Sequence, residues 1–514
     1  MNTIMNENDK NGSAKRQCIL LIASWMVILA WRLYYLIVYA FNYVDEDSSI
    51  SWIGTARFAH GQWSELFYIG QDYNVMAEAI LATPLYLCGW PLNYALPLAT
   101  MILGIFPFLF CSIYLWKQEK RAASLIVTLC MGAVSWRWDL FTSIPRALIG
   151  GLAVALPGAV LLNDPKASVW KRFIGAFLCG LGVVMNYSAA PIVGLALAWF
   201  VMAKGKDWKV WGGICGGFTV AALIFIADRI YFKKHAADYI GRGVFHGFSF
   251  SVVMENLRRV FELLDEEFLL GRYLVPLVLV LLLIFGIWRK KIKYIIMFVL
   301  IITGNIFAMG WGWTLIYDRG GLMFGQGRFF LYWTLIPVLI IALTAFENDW
   351  QMKKACFVIP AVLLLMVCSK GVVLSREMNR EGSELMPPGA GITVMSVESI
   401  KRQSDEMVAL AEYTGSSVLV TTSYARVFAH AASALHYDSP VIFYIPDRER
   451  RQWVYNDLAE RKGLKLILYS LPVREDMQFE VIELGEKTVP EYFEELTGYP
   501  RGFGYIWGIR GELE

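Results

Sequence analysis

Charge is scarce in this chain. Asp, Glu, Lys and Arg make up 18% of its 514 residues, against ~25% in ordinary soluble domains. A chain that is 57% hydrophobic, with its apolar residues in long runs, is not soluble throughout. A net charge of +3 is too small to point to nucleic acid as a partner. The 8 cysteines lie in or beside apolar segments, without a CxxC pair or a Cys/His ligand spacing. That excludes a zinc site and a disulfide framework. The 5 histidines are scattered. Gly-rich phosphate loops and a GxSxG elbow are also lacking, which removes the common nucleotide-binding and serine-hydrolase readings. The first apolar run, 20–41, is too long for a signal-peptide core and has no small-residue cleavage site, so it is expected to be retained.

What the chain has instead is apolar runs of spanning length, the mark of a predominantly α polytopic helical membrane protein. About twenty-two residues at ~1.5 Å rise cross a ~30 Å hydrocarbon core, and 20–41 is such a run. The tail before it, 1–18, is polar and ends near Lys15-Arg16, so it is expected in the cytoplasm. Further spans are expected at 92–116, 122–134, 143–162, 173–185, 189–203, 210–228, 272–288, 294–311, 329–346 and 355–374. That makes about eleven transmembrane helices within 19–374. The apolar piece 75–90 is short and reads as an interfacial or re-entrant helix. Short basic loops recur on one side: Lys117, Lys120 and Arg121; Lys166, Lys171 and Arg172; Lys204, Lys206 and Lys209; Arg289, Lys290, Lys291 and Lys293; Lys353 and Lys354. They orient the N-terminus inside and the C-terminus outside.

Polar residues of interest concentrate in the expected outer loops. The first of these is 42–91. The loop 137–146 holds Trp138, Asp139 and Arg146. The loop 229–271 includes an amphipathic piece, 252–264, suited to a helix in the interface. The Gly-rich loop 317–328 holds Asp318, Arg319 and Arg328. Arg32 lies inside the first span, where a charge is costly unless paired. From 375 to 514 the composition is that of a soluble domain. Strands at 417–422, 441–445 and 464–469 with helices at 425–435 and 449–462 predict a small α/β layer fold with parallel strands. No catalytic motif stands in it, and docking or accessory recognition is its expected role.

The most informative stretch is Tyr43-Val44-Asp45-Glu46-Asp47, three adjoining carboxylates at the mouth of the first span. Like charges repel and partial burial disfavours ionisation, so an acid there is poised to take a proton. The bland alternative is a solvated loop that ends a helix. If the segment is extended, Asp45 and Asp47 share a face; if helical, they diverge. Were they to hold a metal, carboxylates with water would suit Mg²⁺ or Mn²⁺. Glu78 stands where a first-turn acid of the short helix would meet the helix dipole.

An ordered set of motifs follows these acids: Asp45-Glu46, Ala56-Arg57, Gly61, Tyr68-Ile69-Gly70-Gln71-Asp72-Tyr73, then Glu78-Ala79 with Ala82-Thr83-Pro84-Leu85. The set resembles the bacterial GT-C glycosyltransferases, polytopic enzymes similar to protein mannosyltransferases and to the aminoarabinose transferase. A later Gly327-Arg328-Phe329-Phe330 also resembles the family, with Phe329 where tyrosine is usual. The resemblance implies inverting transfer of a sugar from a polyprenyl-phosphate donor to a glycan, lipid or protein acceptor at the outer face of the inner membrane. An acceptor hydroxyl must lose a proton as it attacks, so one carboxylate serves as general base. The leaving phosphate needs cationic contacts rather than an acid. The family's first acidic position falls on Asp45, the expected base. Glu46 or Asp47 would position the sugar or hold the ion. Arg57 and Arg328 are the leading candidates for the donor phosphate, with Arg146 and Arg319 in weaker roles. Gln71 and Tyr73 would bind sugar hydroxyls, and Glu78 would be a second acidic site residue. The rival readings are a transporter or lipid flippase, and a non-catalytic envelope protein that works through its C-terminal domain.

Overall fold

The first apolar run folds as one continuous rod. The computed structural model describes residues 7–63, 66–67, 74–134, 138–139, 142–143, 149–204, 208–234, 248–251, 253–254, 257, 271–288, 290–310, 334–347, 358–378, 394–421, 426–444, 461–469, 479–489, 491–492 and 495. Helix α1 spans Glu7–Tyr35 and passes into a π-helical turn at Leu36–Ala40. Residues 7–18, expected as a separate tail, therefore belong to the same rod. A short strand, β1 (Tyr43–Asp45), leads into α2 (Glu46–Ala59), α3 (Ala77–Leu87), α4 (Leu92–Lys117) and α5 (Arg121–Ala133). The bundle continues through α6 (Ile149–Asn163), α7 (Val169–Met185), α8 (Ala190–Lys204) and α9 (Trp208–Lys234). It ends with α10 (Gly271–Trp288), α11 (Ile292–Gly310), α12 (Ile336–Glu347) and α13 (Val358–Met378).

Every span expected from the sequence overlaps one of these helices. Length sets a stricter test. Among the described residues, Ala14–Ala40, Leu92–Lys117 and Val210–Tyr231 are the 3 helices long and apolar enough to cross a membrane. The others are shorter: the 13 residues of α5 make a rod about 20 Å long. Helix length and composition among the described residues therefore support three of the eleven expected crossings and leave the full count unconfirmed. The amphipathic piece expected at 252–264 lies largely outside the described residues.

Helices α6, α7 and α9 approach one another through glycine. A Cβ on Gly158 would lie 2.8 Å from the Gly175 carbonyl and from the Cys179 amide of α7. One on Gly182 would lie 2.7 Å from the Gly151 carbonyl, and one on Gly217 of α9 would lie 2.8 Å from the Phe177 amide. Lipid tails are as apolar as leucine, so close backbone packing between small residues is what holds such helices together. Gly158→Ala is expected to push α6 and α7 apart and lower stability by about 1–3 kcal/mol. The melting temperature in detergent reads this, and an unchanged value would remove this contact as a source of stability.

The C-terminal region contributes β2 (Val394–Ser396), α14 (Val397–Thr414), β3 (Val418–Thr421) and α15 (Arg426–Leu435). Then come β4 (Ile442–Tyr444), β5 (Lys465–Tyr469) and β6 (Glu480–Glu483). The sheet order is β4-β3-β5-β6, with β3 parallel to β4 and β5, and β6 antiparallel to β5. The three expected strands and the helix at 425–435 are present. The helix expected at 449–462 lies almost wholly outside the described residues, and neither α14 nor β6 was expected.

This α/β layer is stitched to the first outer loop. Strand β2 pairs antiparallel with β1, with Tyr43 opposite Ser396, Val44 opposite Met395 and Asp45 opposite Val394. The Val397 amide donates to the Asn42 carbonyl at 2.8 Å. Trp52, Ile53 and Ala79 of the loop share one buried core with Ile400, Phe428 and Phe443 of the C-terminal region. The described parts of loop 42–91 and of the C-terminal region thus fold as one layer, outer by its expected side. Helix α4 measures the distance to the other end. Its Leu92, Ala95 and Leu96 belong to the outer core, whereas Tyr114 donates to Asp164 in the loop after α6. The 26 residues of α4 rise about 39 Å, so Lys171, Arg172 and Lys293, grouped about Asp164, lie at the end opposite the α/β layer.

Candidate active site

Two acids lie on the seam between the membrane core and the outer core. Tyr43 packs against the membrane core while Val44 belongs to the outer one. Ala77 of α3 belongs to the membrane core while Met76 and Ala79 face outward. Asp45 and Glu78 follow from those alternations, and they are 0% and 1% exposed.

Asp45 closes β1 with extended backbone and serves as the N-cap of α2. The Ser48 amide donates to Asp45 Oδ1 at 2.7 Å, and the Asp45 amide donates to Ser48 Oγ at 2.9 Å. This reciprocal pair satisfies two amides that the helix start would otherwise leave open. The solvated-loop alternative is therefore wrong on two counts: Asp45 is buried, and it starts a helix rather than ending one. Glu46 and Asp47 are the first two residues of α2, where the helix dipole favours negative charge. Because the chain turns helical after Asp45, Asp45 and Asp47 do not share the face that an extended segment would give them. Among the described residues no three His, Cys, Asp or Glu side chains come together as a metal site.

Glu78 stands in the first turn of α3, as expected from the sequence. Beside the start of α3 are two asparagines that sequence reasoning missed. Asn186 Nδ2 donates to Asn74 Oδ1 at 2.6 Å, and the Val75 amide donates to the Met185 carbonyl at 3.0 Å. Both asparagines are buried. Their signals were weak but physical. Asn74 takes a positive φ of 65°, which asparagine tolerates better than most residues. Asn186 caps the short 3₁₀ turn that follows α7, with the Ser188 amide donating to its Oδ1 at 2.8 Å.

Arg57 lies at the far end of α2 from Asp45. Twelve residues of helix set the two about 18 Å apart along its axis. Arg57 instead faces the C-terminal layer. Burial raises the pKa of the Tyr437 phenol, and the positive charge of Arg57 opposes that rise. The same junction holds a His60–Asp438 contact at 2.8 Å and a hydrogen bond from the Tyr437 hydroxyl to Gln62 at 2.8 Å. The structure therefore places Arg57 near Tyr437 of the C-terminal layer rather than beside Asp45. Gln71, Tyr73, Arg146, Arg319 and Arg328 lie outside the described residues.

Asp139, expected in an outer loop, is fully buried against the first and last described helices of the bundle. Its Oδ1 accepts from Arg32 at 2.9 Å, and its Oδ2 accepts from Trp31 Nε1 at 2.7 Å and Lys370 Nζ at 3.3 Å. Arg32 also donates to Thr142. This supplies the partner that Arg32 required. Both of its oxygens are thus engaged, by three donors.

These features define a polytopic α-helical membrane fold with an α/β layer docked on one end and buried acids at the junction. The same fold is seen in the crystal structure of ArnT from Cupriavidus metallidurans in the apo state. The TM-score is 0.54, with 14% identity, over 89% of this chain and 93% of that one. ArnT is an aminoarabinose transferase of the GT-C class, so the resemblance carried by the first outer loop holds at the level of fold. No protein-family model and no curated protein sequence matches the chain.

Proposed function

We propose that this chain is an inverting glycosyltransferase of the GT-C type. It takes a sugar from a polyprenyl-phosphate donor and passes it to an acceptor glycan, lipid or protein at the outer face of the inner membrane. The observation that carries this reading is Asp45, a carboxylate held rigidly on the seam by a helix cap and shielded from bulk water. As the acceptor hydroxyl attacks the anomeric carbon, its proton passes to the Asp45 carboxylate, and the bond from that carbon to the phosphate oxygen breaks. Polyprenyl phosphate leaves as an anion, so cations stabilise it without a general acid. Arg328 is the first choice for that contact, with Arg146 and Arg319 in support. Gln71 and Tyr73 hold sugar hydroxyls, and Glu78 is the second acid. The N-terminus lies in the cytoplasm and the α/β layer outside it.

The flippase reading would favour an intramembrane acid able to pick up and release charge. The one buried acid that reaches the first and last described helices of the bundle, Asp139, is saturated by donors. The two readings separate in detergent. Purified full-length protein, given undecaprenyl-phosphate hexoses or pentoses and a membrane extract as acceptor, is expected to release undecaprenyl phosphate. A preparation that retains its fold and binds donor but never releases the carrier phosphate is not a transferase.

A further inference from the structure

The end of the bundle opposite the α/β layer holds a second built site. A cavity of about 320 Å³ is lined by Asp164, Arg172, Lys293 and Glu347, together with Trp199 and Phe346 among others. Its charges are unevenly matched. Asp164 accepts from Lys171 at 2.6 Å, from the Lys166 amide at 2.8 Å and from Tyr114. Burial pushes its carboxyl up, but those three donors outweigh burial and hold it below the usual carboxylate range. Glu347 is engaged by Lys293, by Lys291 at 3.8 Å and by the Tyr294 hydroxyl at 3.2 Å. Both acids are therefore committed to other cations and donors.

Arg172 is different. It is 6% exposed, and among the described residues its guanidinium makes one weak contact, Nη2 to the Asp164 backbone carbonyl at 3.5 Å. Its Nε is buried without a hydrogen-bond partner. A buried guanidinium that lacks an anion is costly. Its place makes this worse, because it stands in the first turn of α7, where the helix dipole disfavours positive charge. An anion in the adjoining cavity would relieve both costs. Guanidinium matches phosphate with two parallel hydrogen bonds. The aromatic wall of Trp199 and Phe346 suits an amphiphile at the membrane boundary.

We propose that this cavity binds a phosphate group through Arg172, presented by an anionic lipid headgroup. The site is independent of the transfer reaction and lies at the other end of the bundle. Full-length protein in neutral detergent would be given phosphatidylglycerol, diacylglycerol or inorganic phosphate, and its melting temperature and retained lipid measured. Phosphatidylglycerol is expected to raise the melting temperature and to stay bound in native mass spectra, whereas diacylglycerol does neither. Arg172→Gln is expected to weaken retention at least about tenfold, the loss of a charge-assisted hydrogen bond. Without lipid it should melt no lower than wild type, since it removes an uncompensated charge. A shift from inorganic phosphate as large as that from phosphatidylglycerol supports the same site and assigns the phosphate to the aqueous phase. Equal lipid retention by wild type and Arg172→Gln, or no response to either phosphate source, overturns the proposal. If Arg172→Gln does not fold, Arg172→Lys is read instead: weaker retention than wild type supports the site, and equal retention overturns it.

Discussion

Asp45→Asn is expected to slow sugar transfer by about 10²–10⁴-fold, the range for loss of a general base, with the melting temperature unchanged. The pairing of those two results follows from the two jobs of the side chain. As N-cap, Asp45 accepts from the Ser48 amide through Oδ1. Asparagine caps helices as well as aspartate does, and its amide oxygen can take the same hydrogen bond. What asparagine lacks is the ability to accept a proton at neutral pH. The β1–β2 pairing uses main chain at this position, so it survives as well.

Asp45→Ala separates the two jobs. It removes cap and base together, so it should cost about 1 kcal/mol of stability in addition to activity. Donor binding should persist in Asp45→Asn, because the phosphate is held by other groups. Release of undecaprenyl phosphate, donor retention and melting temperature, measured together, test all three statements. Wild-type turnover by Asp45→Asn would move the base elsewhere on the seam, with Glu78 the first place to look.

The legible parts of this protein are those written in local sequence. Runs such as 92–116 show as helices because twenty or so apolar residues leave few other solutions. The parallel strands β3, β4 and β5 were legible because short apolar runs alternate with helical patterns. Asp45 and Glu78 stood out because acids beside apolar helices are conspicuous. What local sequence does not carry is pairing across distance. Nothing near Tyr43 announces Ser396 as its neighbour, so the union of the first outer loop with the C-terminal layer emerges only in three dimensions. The same is true of Asn74 and Asn186. Arg32 was legible as a charge in need of a partner, but Asp139 looked like a loop residue and Lys370 drew no notice. Arg57 shows what a motif leaves out: it fixes order along the chain, while about 18 Å of helix separates Arg57 from Asp45 in space.

The largest structural effect is expected from Asp139. The cluster holds two cations and one anion, and their side chains are 1%, 2% and 1% exposed for Arg32, Lys370 and Asp139. Removing the anion by Asp139→Ala leaves two buried cations side by side, so a loss of about 3–5 kcal/mol is expected, as for breaking a buried ion pair. Removing Lys370 leaves Arg32 and Asp139 as a neutral pair with its 2.9 Å hydrogen bond intact. Lys370→Met is therefore expected to cost little, or to stabilise, because replacing a buried charge with an apolar side chain is often favourable. Arg32→Met falls between, since it also gives up the contact with Thr142. The order Asp139→Ala, Arg32→Met, Lys370→Met does not follow from size, because the smallest of the three side chains is the most costly to lose. The double variant Asp139→Ala, Lys370→Met supplies the sharper measurement. With one cation gone, loss of the anion strands a single charge instead of two, so the double variant should be more stable than Asp139→Ala alone. Melting temperatures in detergent for the four proteins decide it. Strictly additive shifts would mean that Asp139 and Lys370 are not electrostatically coupled.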